Sequence, residues 1–208
     1  MEHKYFGELL QRYPSLKCNR EQILSAFTML KACYSRHGTI FIAGNGGSRA
    51  DAEHISGELM KGFLKQRPIS EEVREKLSRT PEGKELSALL QEGIKAIPLG
   101  WLSLSSAINN DTGSSMEYAQ PLYVLGRSGD VLIGISTSGN AKNIINAVIT
   151  AKALDIHIIS MTGETGGELR SLSDVCIAVP ESEVFKIQEL HLPIYHAICA
   201  QLEEDLFD

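Results

Sequence analysis

The sequence predicts a single α/β domain: a parallel sheet of about five strands with helices on both faces. Short apolar runs of strand length alternate with stretches of helical spacing. Two of those runs end in turns rich in Gly, Ser and Asn that lead straight into helices. A length of 208 residues suits one such domain, numbered 1–208 throughout, with room for an elaboration.

Residues 2–37 read as helical. Phe6, Leu9 and Leu10 form a short apolar face that Pro14 ends. Asn19 is the expected N-cap of a second helix, with Gln22 completing a capping box. Ile23, Ala26, Phe27, Leu30, Cys33 and Tyr34 line one face of that helix, and Gly38 is expected to close it. Helices ahead of the first strand fall outside a βα repeat, so the segment 1–37 is expected to pack outside it and to serve subunit contacts.

Residues 39–43 form the first buried strand, followed by Gly44-Asn45-Gly46-Gly47-Ser48 and a helix over 50–61. The glycines mark a close backbone approach. The third glycine of a dinucleotide fingerprint and the Gly-Lys-Ser/Thr of a P-loop are both missing. Residues 64–95 are densely charged and read as an inserted helical hairpin. Ser70 is placed to cap its first helix, and Pro81 separates a second stretch bearing Leu86, Leu89 and Leu90. Such an insertion is either a solvated excursion or a lid or interface arm.

A short strand over 96–99 is placed at an edge by Pro98, which lacks a donor. A short helix over 102–109 ends in the turn Asn110-Asp111-Thr112-Gly113. The apolar run from Val131 to Ile135 enters Ser136-Thr137-Ser138-Gly139-Asn140, and a helix follows over 141–154. Strands over 157–160 and 175–179 come next, then a long helix over 184–206 that Pro193 is expected to kink.

The net charge of −6 and pI near 5.6 argue against nucleic acid as the main partner, since binding its backbone needs a dense basic face. Small phosphorylated ligands stay open, because backbone dipoles hold them without such a face. Cys18, Cys33, Cys176 and Cys199 lack CxxC spacing and read as free thiols of a reducing compartment. No apolar run approaches the roughly 20 residues that span a bilayer, and the start of the chain is too polar for a signal peptide. A cytoplasmic protein with no membrane partner is expected.

The turn 136–140 has two readings: a phosphate cradle at a helix start, or a turn whose side chains cap the helix. His54 and Glu58, four apart on one helical face, suit metal ligation, acid–base chemistry or a plain surface pair. Asp51 is expected to cap or support that helix. In the terminal helix Gln188, His191 and His196 interrupt an apolar stretch, and each needs a partner if buried. Gln188 and His196 stand about 12 Å apart along a straight helix. Sharing one metal therefore requires extended side chains, a kink or separate subunits.

Taken together, these segments resemble the sugar isomerase (SIS) domain family, and more narrowly the bacterial phosphoheptose isomerases. The match is carried by Gly44-Asn-Gly-Gly-Ser48, Asp51-Ala-Glu-His54 with Glu58, and Gly129 to Asn140. Met161-Thr-Gly163 with Gly166-Gly167, and Ile187-Gln-Glu-Leu-His191 with His196, complete it. The resemblance implies isomerisation of sedoheptulose 7-phosphate to D-glycero-D-manno-heptose 7-phosphate, an early step towards activated heptose for lipopolysaccharide, capsule or surface-layer glycans. It implies zinc held by His54, Glu58, Gln188 and His196, and a homotetramer with active sites at subunit interfaces. Glu58 and His196 would be the acid–base pair. Ser48, Ser136, Thr137 and Ser138 would hold the phosphate, with Gly46, Gly47, Asn140 and Gln188 also facing substrate and Asn45 and Asp111 on sugar hydroxyls.

The chain departs from the family pattern in several places. Gly62 stands where an arginine is usual, four residues past the carboxylate. Phe185 replaces an acidic residue, Ala141 replaces a serine, and Pro193 lies within the ligand helix. The insertion at 64–95 is longer than in compact members. Two alternatives are a non-catalytic sugar-phosphate-binding or protein-interaction module of this fold, and an isomerase of another sugar phosphate.

Overall fold

The computed structural model describes residues 3–207; residues 1, 2 and 208, the ends of the expected 1–208 domain, lie outside it. The five apolar runs pair as one fully parallel sheet. Its strands are β1 (Ile40–Gly44), β2 (Ala96–Pro98), β3 (Val131–Ile135), β4 (His157–Thr162) and β5 (Val175–Ala178), side by side in the order β2-β1-β3-β4-β5. Pro98 does lie on an edge strand.

Around the sheet lie α1 (Lys4–Arg12), α2 (Arg20–Ser35), α3 (Gly47–Met60), α4 (Glu71–Leu77), α5 (Pro81–Leu89), α6 (Leu102–Asp111), α7 (Ala119–Leu125), α8 (Lys142–Ala153), α9 (Leu169–Leu172) and α10 (Val184–Leu206). Side chains alternate between the two faces, as the pleat requires. Ile40, Ile42, Val131, Ile133, Ile135, Ile159 and Ile177 share a core with α2, α3 and α10. Phe41, Ala43, Leu132 and Ile158 share the other with Leu122 of α7, Leu169 of α9 and Ile144 and Val148 of α8. Among the described residues, no helix is long and apolar enough to cross a membrane.

This arrangement sets the location of a site. β1 and β3 are neighbours in register, Ile40 opposite Val131 and Gly44 opposite Ile135. The helices that follow them, α3 and α8, pass to opposite faces of the sheet. Their turns therefore part around a crevice at the carboxyl ends of adjacent strands, the switch point where α/β sheets take ligands.

Several expectations change. α2 does not stand outside the repeat. Ile23, Ala26, Phe27, Leu30 and Cys33 are buried on the sheet, so it is a layer of the domain. Asn19 makes no cap; its Nδ2 donates to the Ala178 carbonyl at 2.9 Å, a tertiary contact that orients the amide for the sheet and not for the helix end. At the other end the left-handed residue is His37 (φ 58°), while Gly38 N–H donates to Cys33 O. Ser70 makes no cap bond either, whereas Thr80 caps α5 by accepting from Gly83 N–H. α6 runs on to Asp111, α10 passes through Pro193 as one helix, and α7 and α9 were not anticipated.

The charged segment is a helical hairpin, as expected. Its base is closed by an antiparallel bridge between Pro68 and Gln91 and by Glu92 N–H donating to Arg67 O at 2.7 Å. Beneath the base Arg67 and Glu203 form an ion pair that solvent does not reach. Arg67 Nη1 and Nη2 donate to the carbonyls of Leu59 and Glu58, where α3 ends. All four cysteines are free thiols.

Candidate active site

The two turns meet through a reciprocal amide pair. Asn45 Nδ2 donates to Asn143 Oδ1 at 2.9 Å, and Asn143 Nδ2 donates to Asn45 Oδ1 at 2.8 Å. Tyr118 holds the same corner, its hydroxyl on Gly44 O and on Asn45 Oδ1. Arg49 donates to Tyr118 and pairs with Glu117. Gly46 sits at φ 54°, a conformation that favours glycine. Gly44 lacks a Cβ because one would lie 2.3 Å from Ser48 O, where α3 backs onto the strand end.

In the second turn Ser136 is buried, Thr137 half-buried, and Ser138 and Asn140 exposed. Ser138 Oγ accepts from Asn140 N–H at 3.2 Å, and Asn140 Oδ1 accepts from Glu168 N–H at 2.9 Å. A Cβ on Gly139 (φ 68°) would lie 2.0 Å from Gly166 O, so the turn is braced by the Gly166-Gly167 loop. Ala141 at the start of α8 offers no side-chain cap. The unpaired N–H groups of a helix start and its dipole face the crevice beside these hydroxyls, an arrangement that suits a phosphate.

α3 and α10 run side by side in the same direction. Gln188 rests its amide against Gly47 at the turn end; a Cβ there would lie 2.7 Å from Gln188 Nε2. Two turns further along, His54 Nε2 lies 3.1 Å from Glu58 Oε1 and 3.4 Å from His196 Nε2. The i,i+4 spacing on α3 sets the first contact, and the helix pairing sets the second. Among the described residues Glu58 Oε2 is buried without a partner. Burial, and then the neighbouring His54, hold the His196 imidazole below its usual value.

Three expected ligands thus come together, while Gln188 stays near the turn. Asp111 accepts from Asn110 Nδ2 at the end of α6; among the described residues no hydrogen bond ties it to either turn. His191 is a core residue, wholly buried, with Nε2 against Thr162 O at 3.2 Å. Burial lowers it to about 4, so it is a neutral donor.

Several contributors carried no signal in the sequence. Tyr195 lies between His54 Nδ1 (3.0 Å) and Asp51 Oδ1 (3.3 Å). Burial and Asp51 raise its phenol, and burial raises Asp51. Phe63 packs against His196 with ring centroids 5.6 Å apart. Both line a cavity of about 270 Å³ with Tyr5, Glu8, Arg12 and Tyr13 from the N-terminal end of the chain. Aromatic residues in apolar context read as core, which hid Tyr195 and Phe63. The departure at Gly62 has a steric reason: a Cβ there would lie 2.2 Å from Lys65 O, so this loop admits no arginine.

The family model of the SIS domain matches residues 4–163, which takes in both turns and α3. The chain belongs to the SIS domain family. Within the SIS domains, the phosphoheptose isomerase of Aneurinibacillus thermoaerophilus is 40% identical over 174 residues, 84% of this chain and 76% of that protein. Phosphoheptose isomerase 2 of Campylobacter jejuni is 39% identical over 184 residues, 88% and 79% of the two chains. Among solved structures, the phosphoheptose isomerase of Neisseria gonorrhoeae superposes with a TM-score of 0.75 at 31% identity, covering 96% of this chain and 95% of its own.

The donor set has the chemistry that zinc takes. Two imidazole nitrogens and a carboxylate are zinc donors, and the nitrogen separation of 3.4 Å is about what bonds of roughly 2.0–2.1 Å give at the tetrahedral angle. Among the described residues no group of three His, Cys, Asp or Glu side chains is pre-arranged around a metal position. Here the donors contact one another directly, and an ion would replace those contacts.

Proposed function

We propose that this protein is a ketose–aldose isomerase converting sedoheptulose 7-phosphate to D-glycero-D-manno-heptose 7-phosphate through an enediol. One observation carries the reading: Glu58 and His196, from two helices, meet at His54 in a chain 40% identical over most of its length to a phosphoheptose isomerase. Ser48, Ser136, Thr137 and Ser138 anchor the phosphate with the amides around Gly139. Gly46, Gly47, Asn140 and Gln188 line the same mouth, and Asn45 and Asp111 take sugar hydroxyls. Gly47 and His54 are seven residues apart on one face of α3, about 10 Å at 1.5 Å per residue. That span suits a long sugar phosphate held at one end and reacting at the other.

His54, Glu58 and His196 hold zinc, with Gln188 as fourth ligand. By resemblance to the family the protein is a homotetramer with sites at subunit interfaces, a reading supported by Gln188 lying against Gly47, apart from the other three in one chain. Zinc, when bound, supplies polarisation of the substrate oxygens. The proton chemistry belongs to side chains. Glu58 takes a proton from C1, the freed electron pair forms the C1–C2 double bond, and O2 takes a proton. Return of a proton to C2 and loss of the one on O1 complete the aldose, with His196 as the partner acid and base. Among the described residues Glu58 Oε2 has no partner, so it is the oxygen free to take the proton. The low proton affinity of His196 keeps it a neutral acceptor near neutral pH. The enzyme works in the cytoplasm, with neither nucleic acid nor membrane as partner.

The test is purified protein incubated with sedoheptulose 7-phosphate, with and without zinc, following aldose formation. Turnover that Glu58→Gln removes, with folding intact, is expected. No turnover under either condition overturns the reading, and faster turnover of a shorter sugar phosphate moves the substrate.

A further inference from the structure

The pairing of α3 with α10 holds a polar chain that the isomerase chemistry above does not use. Tyr195, buried to 3% exposure, sets its hydroxyl 3.3 Å from Asp51 Oδ1 and 3.0 Å from His54 Nδ1. A carboxylate only accepts, so the hydroxyl hydrogen belongs to Asp51, and the hydroxyl oxygen is left to accept from His54. Among the described residues no other donor reaches Asp51: its Oδ2 is buried without a partner. We propose that Asp51 and Tyr195 fix the tautomer of His54, holding its proton on Nδ1 and leaving Nε2 as the bare nitrogen turned toward Glu58 and His196.

The alternative arrangement shows what the chain prevents. Were the Tyr195 hydrogen turned to His54 Nδ1, the imidazole proton would sit on Nε2. Glu58 Oε1, 3.1 Å away, would accept it. That form has no electron pair to offer a metal at Nε2, and it leaves the half-buried Asp51 with no donor at all. A histidine that binds metal through one nitrogen commonly donates its other N–H to an oxygen that sets ring and tautomer together. Here that oxygen is a tyrosine hydroxyl, itself oriented by a carboxylate one helical turn before His54. Tyr195 and Asp51 are positioning residues: neither reaches the expected metal or the reacting carbons.

The inference rests on the metal reading of His54, and the experiment separates the two. Zinc affinity of metal-free protein is measured by competition with a chromophoric chelator for wild type, Tyr195→Phe, Asp51→Asn and His54→Ala. The Phe variant keeps the packed ring and loses only the oxygen. It is expected to bind zinc about 10–100-fold more weakly, while metal-free it still unfolds cooperatively, with a urea midpoint lowered modestly because Asp51 loses its donor. Asp51→Asn should lose less, because its amide oxygen still accepts from Tyr195. Proton spectra of the zinc-loaded wild type should show a downfield imidazole N–H that is absent from Tyr195→Phe. Wild-type affinity in Tyr195→Phe, with His54→Ala defective, overturns this inference and leaves the metal reading standing. Failure of wild type to bind zinc removes both, whereas turnover of sedoheptulose 7-phosphate is read separately.

Discussion

Replacing Arg67 with Met should cost this fold about 4 kcal/mol. The guanidinium is fully buried, with Nε on Glu203 Oε1 at 2.8 Å, Nη1 on Leu59 O at 2.7 Å and Nη2 on Glu58 O at 3.2 Å. Glu203 also accepts from the amides of Phe63, Leu64 and Lys65, at 2.8, 2.7 and 3.0 Å. Methionine fills the space but strands the carboxylate, and breaking a buried pair from one side costs roughly 3–5 kcal/mol. The three amides keep that near the lower end; Leu59 O keeps its bond from Ile94 N–H at 2.8 Å, and the Glu58 carbonyl that loses its donor adds about 1 kcal/mol.

Urea midpoints at neutral pH are the assay, and Arg67→Met with Glu203→Gln should cost less than the sum of the two, since a neutral amide needs no cation. Burial alone would raise the Glu203 carboxyl, but the amides of Phe63 and Leu64 and the Arg67 guanidinium outweigh it and hold the group below its usual value of 4.5. An unfolded chain takes up that proton first as pH falls. The stabilisation is therefore complete above 4.5 and disappears as pH drops through the lower folded value. The penalty of Arg67→Met should shrink across the same window. A loss under about 1 kcal/mol at neutral pH would refute the reasoning, since it would put the pair in the class of exposed bridges.

Three further outcomes are expected. His191, lowered from 6.5 to about 4 by burial, stays neutral while the unfolded chain protonates, so stability should fall by about 3 kcal/mol as pH drops between those values; urea midpoints of His191→Leu should lose that slope, and an unchanged slope refutes it. Gly139→Ala places a Cβ 2.0 Å from Gly166 O at a φ of 68°, so KM for the sugar phosphate should rise at least about tenfold with a stability loss of about 2 kcal/mol; a KM equal to wild type counts against the turn as anchor. Thr80→Ala removes the cap of α5 and should cost about 1 kcal/mol, read as faster amide exchange in α5 alone; a shift of the global unfolding midpoint would contradict a locally held hairpin.

The parts of the fold legible in the sequence were those set by local pattern. β1 and β3 are continuous apolar runs, and α10 has the bounds 184–206 that its spacing indicates. α7 was hidden because Pro121 lies inside a short apolar run with no helical period, and α9 has only four residues. Capping failed at Asn19 because its amide is oriented by a bond from Nδ2 to Ala178 O, 159 residues away in sequence. The site divides in the same way. His54 with Glu58 is a spacing within one helix. The approach of His196, the Tyr195–Asp51 chain, and the Asn45–Asn143 pair depend on packing between helices and strands, which no window of sequence contains.

The hairpin over α4 and α5 stands on a closed base. Pro68 and Gln91 are already bridged, and within α4 and α5 only Gly83 is buried. The chain thus leaves the domain and returns at one point with almost nothing of the core carried out. Loop closure grows only slowly with length, about 0.6 kcal/mol for each doubling, so this excursion is a cassette. It can be shortened to a tight turn, exchanged, or lengthened over evolutionary time while the crevice behind it keeps its shape. Variety among such enzymes at this position need not report any change in their chemistry.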